Sequence, residues 1–274
     1  MAYDSARGVV VLFGGSRAGA NPGFLDDTWE WNGTIGTWTQ RASTGPSPRN
    51  AHAMAYDRAQ NVTVLFGGRV GYYEYLNDTW EWNGASATWT QRASDGPAPR
   101  CGHAIVYDSA RGVGVLFGGW CTEFYGFGDT WEWNSGSGAW TQTSNAGPRE
   151  RSSHAMAYDS ARGVVVLFGG RTGVTVGDFA GDTWEWDGTT WTRVATTGPS
   201  PRSAMAMAYD SVRGVTVLDI IGSGAPKPHT LTSFAVVDGT AVTYPAYGEG
   251  ETDPAPYACP TDSSTRVGFS DTGL

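Results

Sequence analysis

The apolar residues of this chain fall in short runs, each about the length of one strand. Residues 9–13 read Val-Val-Val-Leu-Phe, and closely similar runs return at 62–66, 113–117 and 164–168, each followed by Gly-Gly. A run apolar at nearly every position predicts a β-strand buried on both faces, and the small residues permit a tight backbone path at its end. A Met-Ala-Tyr-Asp segment precedes it at 1–4, 54–57 and 156–159 and recurs at 207–210, with Ile-Val-Tyr-Asp at 105–108. This segment predicts a strand of its own, joined to the apolar run by an Asp-led turn that closes on Gly8, Gly112, Gly163 or Gly214. A third strand, Asp-Thr-Trp-Glu-Trp, starts at Asp27, Asp78, Asp129 and Asp182. A hairpin turn such as Asn83-Gly84 leads to a fourth, marked by Trp-Thr at Trp38, Trp89, Trp140 and Trp191.

These markers keep one order and one period. The Asp residues at 4, 57, 108, 159 and 210 are spaced 53, 51, 51 and 51. Units of about 1–48, 49–99, 100–150, 151–201 and 202–255 follow, with a partial unit at 256–274, all within a single domain spanning 1–274. One four-stranded antiparallel sheet cannot bury both of its faces. Copies stacked about an axis can, which predicts a β-propeller. A linear solenoid matches the period but not the four short antiparallel strands.

The marker set carries a family resemblance. Arg49-x-x-His52, a strand ending at Gly67-Gly68, Trp80-x-Trp82 and then Trp89 resemble the kelch repeat. The near-identical tandem units are similar to those of bacterial kelch-repeat proteins and of the central domain of galactose oxidase. This resemblance covers residue 1 to about residue 215 and implies an all-β, kelch-type β-propeller of about five four-stranded antiparallel blades. Beyond it the markers change: Asp219-Ile-Ile-Gly222 replaces Phe-Gly-Gly, residues 234–237 stand for Trp-x-Trp, and Val242-Thr-Tyr244 for Trp-Thr. Residues 256–269 resemble an opening strand, while the first unit lacks most of its own. Pairing of the N- and C-terminal strands in one composite blade would close the ring and remove two sheet edges. The first unit also lacks the Pro-Arg-x-x-His opening, which suggests a piece of a longer protein. Proteins built of such units are expected outside the cell or on the cell surface of a bacterium, although residues 1–8 show no signal-peptide pattern.

Composition narrows the partners. The chain has 39 Gly and 13 Trp in 274 residues and only 16% charged residues, as many short strands and tight turns require. Net charge is −9, and the bases, all Arg except Lys227, are scattered. With no basic patch, nucleic acid and anionic membrane are not expected partners. No apolar run approaches the roughly 20 residues of a membrane span. Three Cys are too few for a disulfide framework. Cys101 and Cys121 nevertheless fall at one end of one unit, at positions that sister units fill with other residues, and a disulfide between them is expected.

Candidate chemistry divides into what repeats and what varies. His52, His103 and His154 share one repeat position, and Arg49, Arg100 and Arg151 another. Met205 takes the His position in the fifth unit, so a ring of metal ligands would be broken, and these residues are expected to tie each blade to the next. The repeated Asp27, Asp78, Asp129 and Asp182 read as scaffold for the same reason. Cys101, His103 and Cys121 lack a fourth zinc ligand and a Cys-x-x-Cys pair. Some kelch proteins are enzymes, among them copper radical oxidases and iron-dependent specifier proteins. The iron pattern Glu-x-x-x-Asp-x-x-x-His begins at Glu74 and Asp78 but meets Trp82 where the His belongs. No catalytic residue, cofactor or metal site is therefore assigned.

The connection from second to third strand differs in every unit. It carries Arg69, Tyr72, Tyr73 and Tyr75 in the second, Trp120, Phe124, Tyr125 and Phe127 in the third, and Arg171 in the fourth. Up-and-down strand order puts these loops on the same end of the propeller as the inter-blade connections. Long aromatic loops on a rigid scaffold suit binding. The leading expectation is a monomeric interaction module that presents this face to a protein or glycan ligand. The alternatives are a kelch-type oxidase or lyase with a site at the axis, to which the loops offer Glu74, Glu123 and Asp178, and a passive spacer.

Overall fold

The computed structural model describes residues 1–17, 23–71, 73–122, 125–173, 177–219, 235–237 and 240–242. Four full antiparallel blades follow one another along the chain. The first contains β1 (Ala2–Asp4), β2 (Val9–Arg17), β3 (Gly23–Asn32) and β4 (Thr37–Ala42) in sequential order. The second contains β5 (Ala53–Asp57), β6 (Val62–Arg69), β7 (Tyr75–Asn83) and β8 (Thr88–Ala93). In the third, β9 (Ala104–Asp108) and β10 (Val113–Phe117) are followed by a small hairpin, β11 (Trp120–Thr122) and β12 (Tyr125–Gly126). Its sheet is then completed by β13 (Thr130–Asn134) and β14 (Ala139–Ser144). The fourth contains β15 (Ala155–Asp159), β16 (Val164–Phe168), β17 (Thr183–Trp186) and β18 (Trp191–Ala195).

Among the described residues the fifth unit is a partial blade, in which β19 (Ala206–Asp210) pairs with β20 (Val215–Asp219), and β21 (Ala235–Val237) with β22 (Thr240–Val242). The expected closure needs correction: the ring is open. Contacts between first strands run in one line, β1 with β5, β5 with β9, β9 with β15 and β15 with β19. Residues 256–269, the proposed closing strand, lie outside the described residues. Beyond Leu218 the chain no longer carries the Phe-Gly-Gly and Trp-x-Trp markers, whose Phe and Trp fill the space between the earlier blades. The described residues contain no helix long and apolar enough to cross a membrane.

The core lies between blades rather than within them, and strand alternation makes it so. In β6, Leu65 faces the first blade, packing with Ala2, Val11, Phe13, Met54 and Trp82. Its neighbours Val64 and Phe66 face the third, packing with Ile105, Leu116 and Trp133. Leu65 and Phe66 are both 0% exposed, so the strand is buried on both sides as its composition predicts. The Trp of each fourth strand reaches back across the interface. Trp89 Nε1 donates to Thr28 Oγ1, Trp140 to Thr79 and Trp191 to Thr130, each at 2.8 Å. The ring also sits against the Gly of the preceding Gly-Pro: a Cβ on Gly96 would lie 2.5 Å from Trp140 Cδ1. At the opposite end, Tyr56 faces the Asp4 carboxylate of the preceding blade; burial and that carboxylate push its hydroxyl up to about 12.

Candidate functional site

The long second-to-third connections and the inter-blade connections meet at one end of the blades, sewn together by backbone pairing. Asn50 bridges Arg69, Cys101 bridges Trp120, and Ser152 bridges Arg171. In the second blade the β6–β7 pair continues outward through Gly68 with Leu76 and Arg69 with Tyr75. Val70 N then donates to Glu74 O at 3.0 Å. The loop bases are therefore ordered strand ends.

Beneath them lies a repeated ion pair. Arg100 is fully buried, and its two terminal nitrogens donate to both carboxylate oxygens of Asp129 at 2.7 and 2.9 Å. The same guanidinium caps Gly118 O and Ala98 O, each at 3.0 Å. Its main chain belongs to the blade before: Arg100 N donates to Leu76 O, and Arg100 O accepts from Gly68 N. One residue thus clamps two blades, as do Arg49 with Asp78 and Arg151 with Asp182. Burial would raise the Asp129 carboxyl, but the hydrogen bonds and charge of Arg100, with the Trp131 indole N–H, hold it below the usual carboxylate range. The repeated Arg and Asp are scaffold, as the sequence predicts.

The repeated His residues are wedges. His103 stands edge-on to Phe66 at 5.4 Å, with Nε2 3.2 Å from the Phe66 carbonyl of the preceding blade. His154 stands the same way to Phe117 at 5.5 Å. Burial, then the neighbouring Arg100 or Arg151 charge, brings each ring down to about 3, so both are neutral. Gly67 accommodates this packing. Its φ is +61°, and a Cβ there would lie 2.8 Å from Arg100 O and 3.2 Å from the His103 ring. Among the described residues, no three His, Cys, Asp or Glu side chains gather as a metal site would require.

Above this scaffold stand the candidate aromatic residues. Tyr73 is 44% exposed, and Tyr75, Trp120 and Phe127 are half-buried. Two of them are capped by cations. The Arg171 guanidinium lies 5.2 Å from the Trp120 ring centre, and that of Arg100 lies 3.9 Å from Phe127. Arg171 also donates to Gly173 O, and Arg69 Nε donates to Asn50 Oδ1 at 3.1 Å. Tyr125 lies in β12, while Tyr72 and Phe124 lie outside the described residues. The Arg171–Trp120 contact joins the third unit to the fourth.

The Cys101–Cys121 disulfide is not present: Cys101 is a free thiol. Cys101 pairs directly with Trp120, its N donating to Trp120 O at 2.8 Å. Cys121 comes one residue later, so strand alternation turns its side chain to the other face. Burial pushes the Cys101 thiol up to about 11.

Two residues of this face escaped the sequence reading. Arg149 and Glu150 line a hollow of about 480 Å³ with Phe127 and Asp129. Arg149 also borders a second hollow, of about 610 Å³, with Thr172, Ala180 and Pro199. The signal was present in the repeat, because Ser47-Pro48, Ala98-Pro99 and Ser200-Pro201 occupy these positions in sister units. Only the end of the third unit, just before Arg151, replaces Pro with a carboxylate.

Comparison with known proteins places this geometry in context. Residues 2–217 match the family described as the KLHDC2/KLHL20/DRC7 Kelch-repeats domain. Host cell factor 1 of Homo sapiens is 29% identical over 222 residues, taking in 71% of this chain and 10% of that protein. An F-box/kelch-repeat protein of Arabidopsis thaliana is 32% identical over 182 residues, 59% of this chain and 36% of its own. Dynein regulatory complex subunit 7 of Chlamydomonas reinhardtii is 39% identical over 74 residues, 27% of this chain and 6% of its own. The chain thus spans between 6% and 36% of the length of these three relatives.

Proposed function

The chain belongs to the kelch-repeat family, and on that premise we propose that it is a protein-binding module whose ligand lies across the long-loop face. Exposure carries this reading: of the candidate aromatic residues with described side chains, Tyr73 is open to solvent and Tyr75, Trp120 and Phe127 are only partly covered. Rigid aromatics of this kind give contact area at little conformational cost. Arg171, Arg149 and Glu150 beside them add charges of both signs, which suits a polypeptide with its own mixed side chains. One relative is by its name a subunit of a regulatory complex, which agrees with an interaction role.

The test is capture of a protein partner by the immobilised chain, followed by affinity measurement with the double variant Tyr73→Ala, Trp120→Ala. Loss of both rings should weaken binding at least about tenfold and leave the circular dichroism and melting unchanged. An unchanged affinity would remove the aromatic loops from the site. A glycan that binds the chain and is lost in the same variant would replace the protein ligand with a sugar.

A further inference from the structure

Three residues ahead of the clamp Asp, the first, second and fourth units carry an aromatic ring, Phe24, Tyr75 and Phe179, where the third carries Gly126. One residue ahead of the clamp Arg, the same units end in Pro48, Pro99 and Pro201, where the third ends in Glu150. These two exceptions touch. A Cβ on Gly126 would lie 3.0 Å from Glu150 Cγ and 3.1 Å from Glu150 Cβ, so the stem of Glu150 lies where a sister side chain would begin. A residue present in every unit is scaffold, whereas a matched pair of exceptions gives one unit a surface of its own.

The exchange shapes the hollow of about 480 Å³ in the third unit. Phe127 lines it between Gly126 and Gly128. Gly128 stands where the first two units have Asp26 and Asn77, and a Cβ there would lie 3.3 Å from Pro148 O. Asp129 also borders the hollow, but Arg100 holds both of its oxygens. Glu150, its side chain 52% exposed, is thus the carboxylate within a ligand's reach among the described lining residues. Its neighbour Arg149 stands 3.6 Å away and is 68% exposed, and so open a pair contributes little.

We propose that this hollow receives a lysine or arginine side chain of the protein ligand, the aliphatic stem taking the place of the sister ring and the charged head meeting Glu150. That the ligand is a protein rests on the protein-binding reading above. A long basic side chain has the two parts in the required order, an apolar stem and then a cation. Phe127 offers the stem an aromatic surface, and the net charge of −9 favours the approach of a basic partner. The hollow is continuous with the aromatic face, since Gly126 pairs with Trp120 between β12 and β11. A ligand resting on Trp120 therefore reaches the hollow across one strand spacing.

Amide NMR of the full chain is the test, with titration of N-acetyllysine amide, N-acetylarginine amide and the uncharged N-acetylcitrulline amide. A cation should give saturable shifts at Gly126, Phe127, Gly128 and Glu150, and citrulline should give none. Glu150→Gln should weaken the cation at least about tenfold. Gly126→Phe should abolish its binding by restoring the ring of the sister units. Gly126 is not among the glycines of positive φ, and the added side chain first meets the flexible Glu150 stem, so both variants should melt like wild type. The proposal is overturned by the absence of a saturable shift with either cation, by equal shifts with citrulline, or by wild-type affinity in Glu150→Gln. A captured protein partner that is lost in Tyr73→Ala, Trp120→Ala but retained by Glu150→Gln and Gly126→Phe also overturns it, and leaves the protein-binding reading standing. Cation binding that obeys both variants while no protein is captured sustains the hollow and removes that reading.

Discussion

Replacing Arg100 by Met keeps the length of the side chain and removes its charge. Arg100 is 0% exposed, so water cannot take over its bonds. The variant strands the carbonyls of Gly118 and Ala98 and leaves Asp129 without its bidentate partner. Removing one member of a buried pair costs about 3–5 kcal/mol. The Asp129 side chain is 16% exposed and keeps the Trp131 N–H, which lowers the cost. Loss of the cation over Phe127 adds about 0.5–1 kcal/mol. We expect a net loss of about 3–4 kcal/mol in urea unfolding. Arg100→Met, Asp129→Asn should recover part of it, because the unpaired charge is gone, with a coupling free energy of about 2 kcal/mol. Hydrogen exchange should quicken at Trp120 and Phe127, whose loop rests on the pair. A single variant costing under about 1 kcal/mol, or a double variant equal to the sum of the singles, would refute the clamp.

Acid should destabilise the fold in two windows. His103 and His154 titrate near 3 when folded and near 6.5 when unfolded, so the unfolded chain binds more protons between these values. Stability is then complete above about 6.5 and falls by about 1.4 kcal/mol per pH unit per His as pH drops; His103→Gln should flatten the slope, and an unchanged slope would exclude the buried neutral ring. Asp129 is held below its ordinary value, so its contribution persists above the usual carboxylate range and is lost as pH falls through the depressed one. Gly96→Ala forces a methyl to 2.5 Å from Trp140 at φ +124° and should cost about 1–3 kcal/mol, visible in near-ultraviolet circular dichroism. Gly198→Ala, with nothing within 4 Å, should cost less, and equal losses would show that backbone strain alone decides. Cys101 should resist thiol reagents at neutral pH until the chain unfolds, since its thiol is raised to about 11; rapid labelling of the native protein would contradict its placement.

Period and composition by themselves determine the blade. Each 51-residue unit supplies two apolar strands, two Trp-bearing strands and the turns between them, all read from neighbours along the chain. They also reveal that Arg49, Arg100 and Arg151 are scaffold, since a residue present in every unit cannot single out one site. Pairings between blades needed the tertiary structure. Trp89 meets Thr28 across 61 residues, and no local pattern says which hydroxyl an indole will reach. Cys101 and Cys121 shared one end of a blade in sequence, yet a shift of one residue in a strand reverses the face, and only the register with Trp120 separates them. Closure was beyond the repeat for a similar reason. The angle between blades is set by how Leu65, Phe66 and Trp82 pack against their neighbours, and the fifth unit lacks the Phe and Trp that would continue that packing. Local periodicity specifies what each unit is, while the side chains wedged between units decide how far the array turns and which of its surfaces remain open.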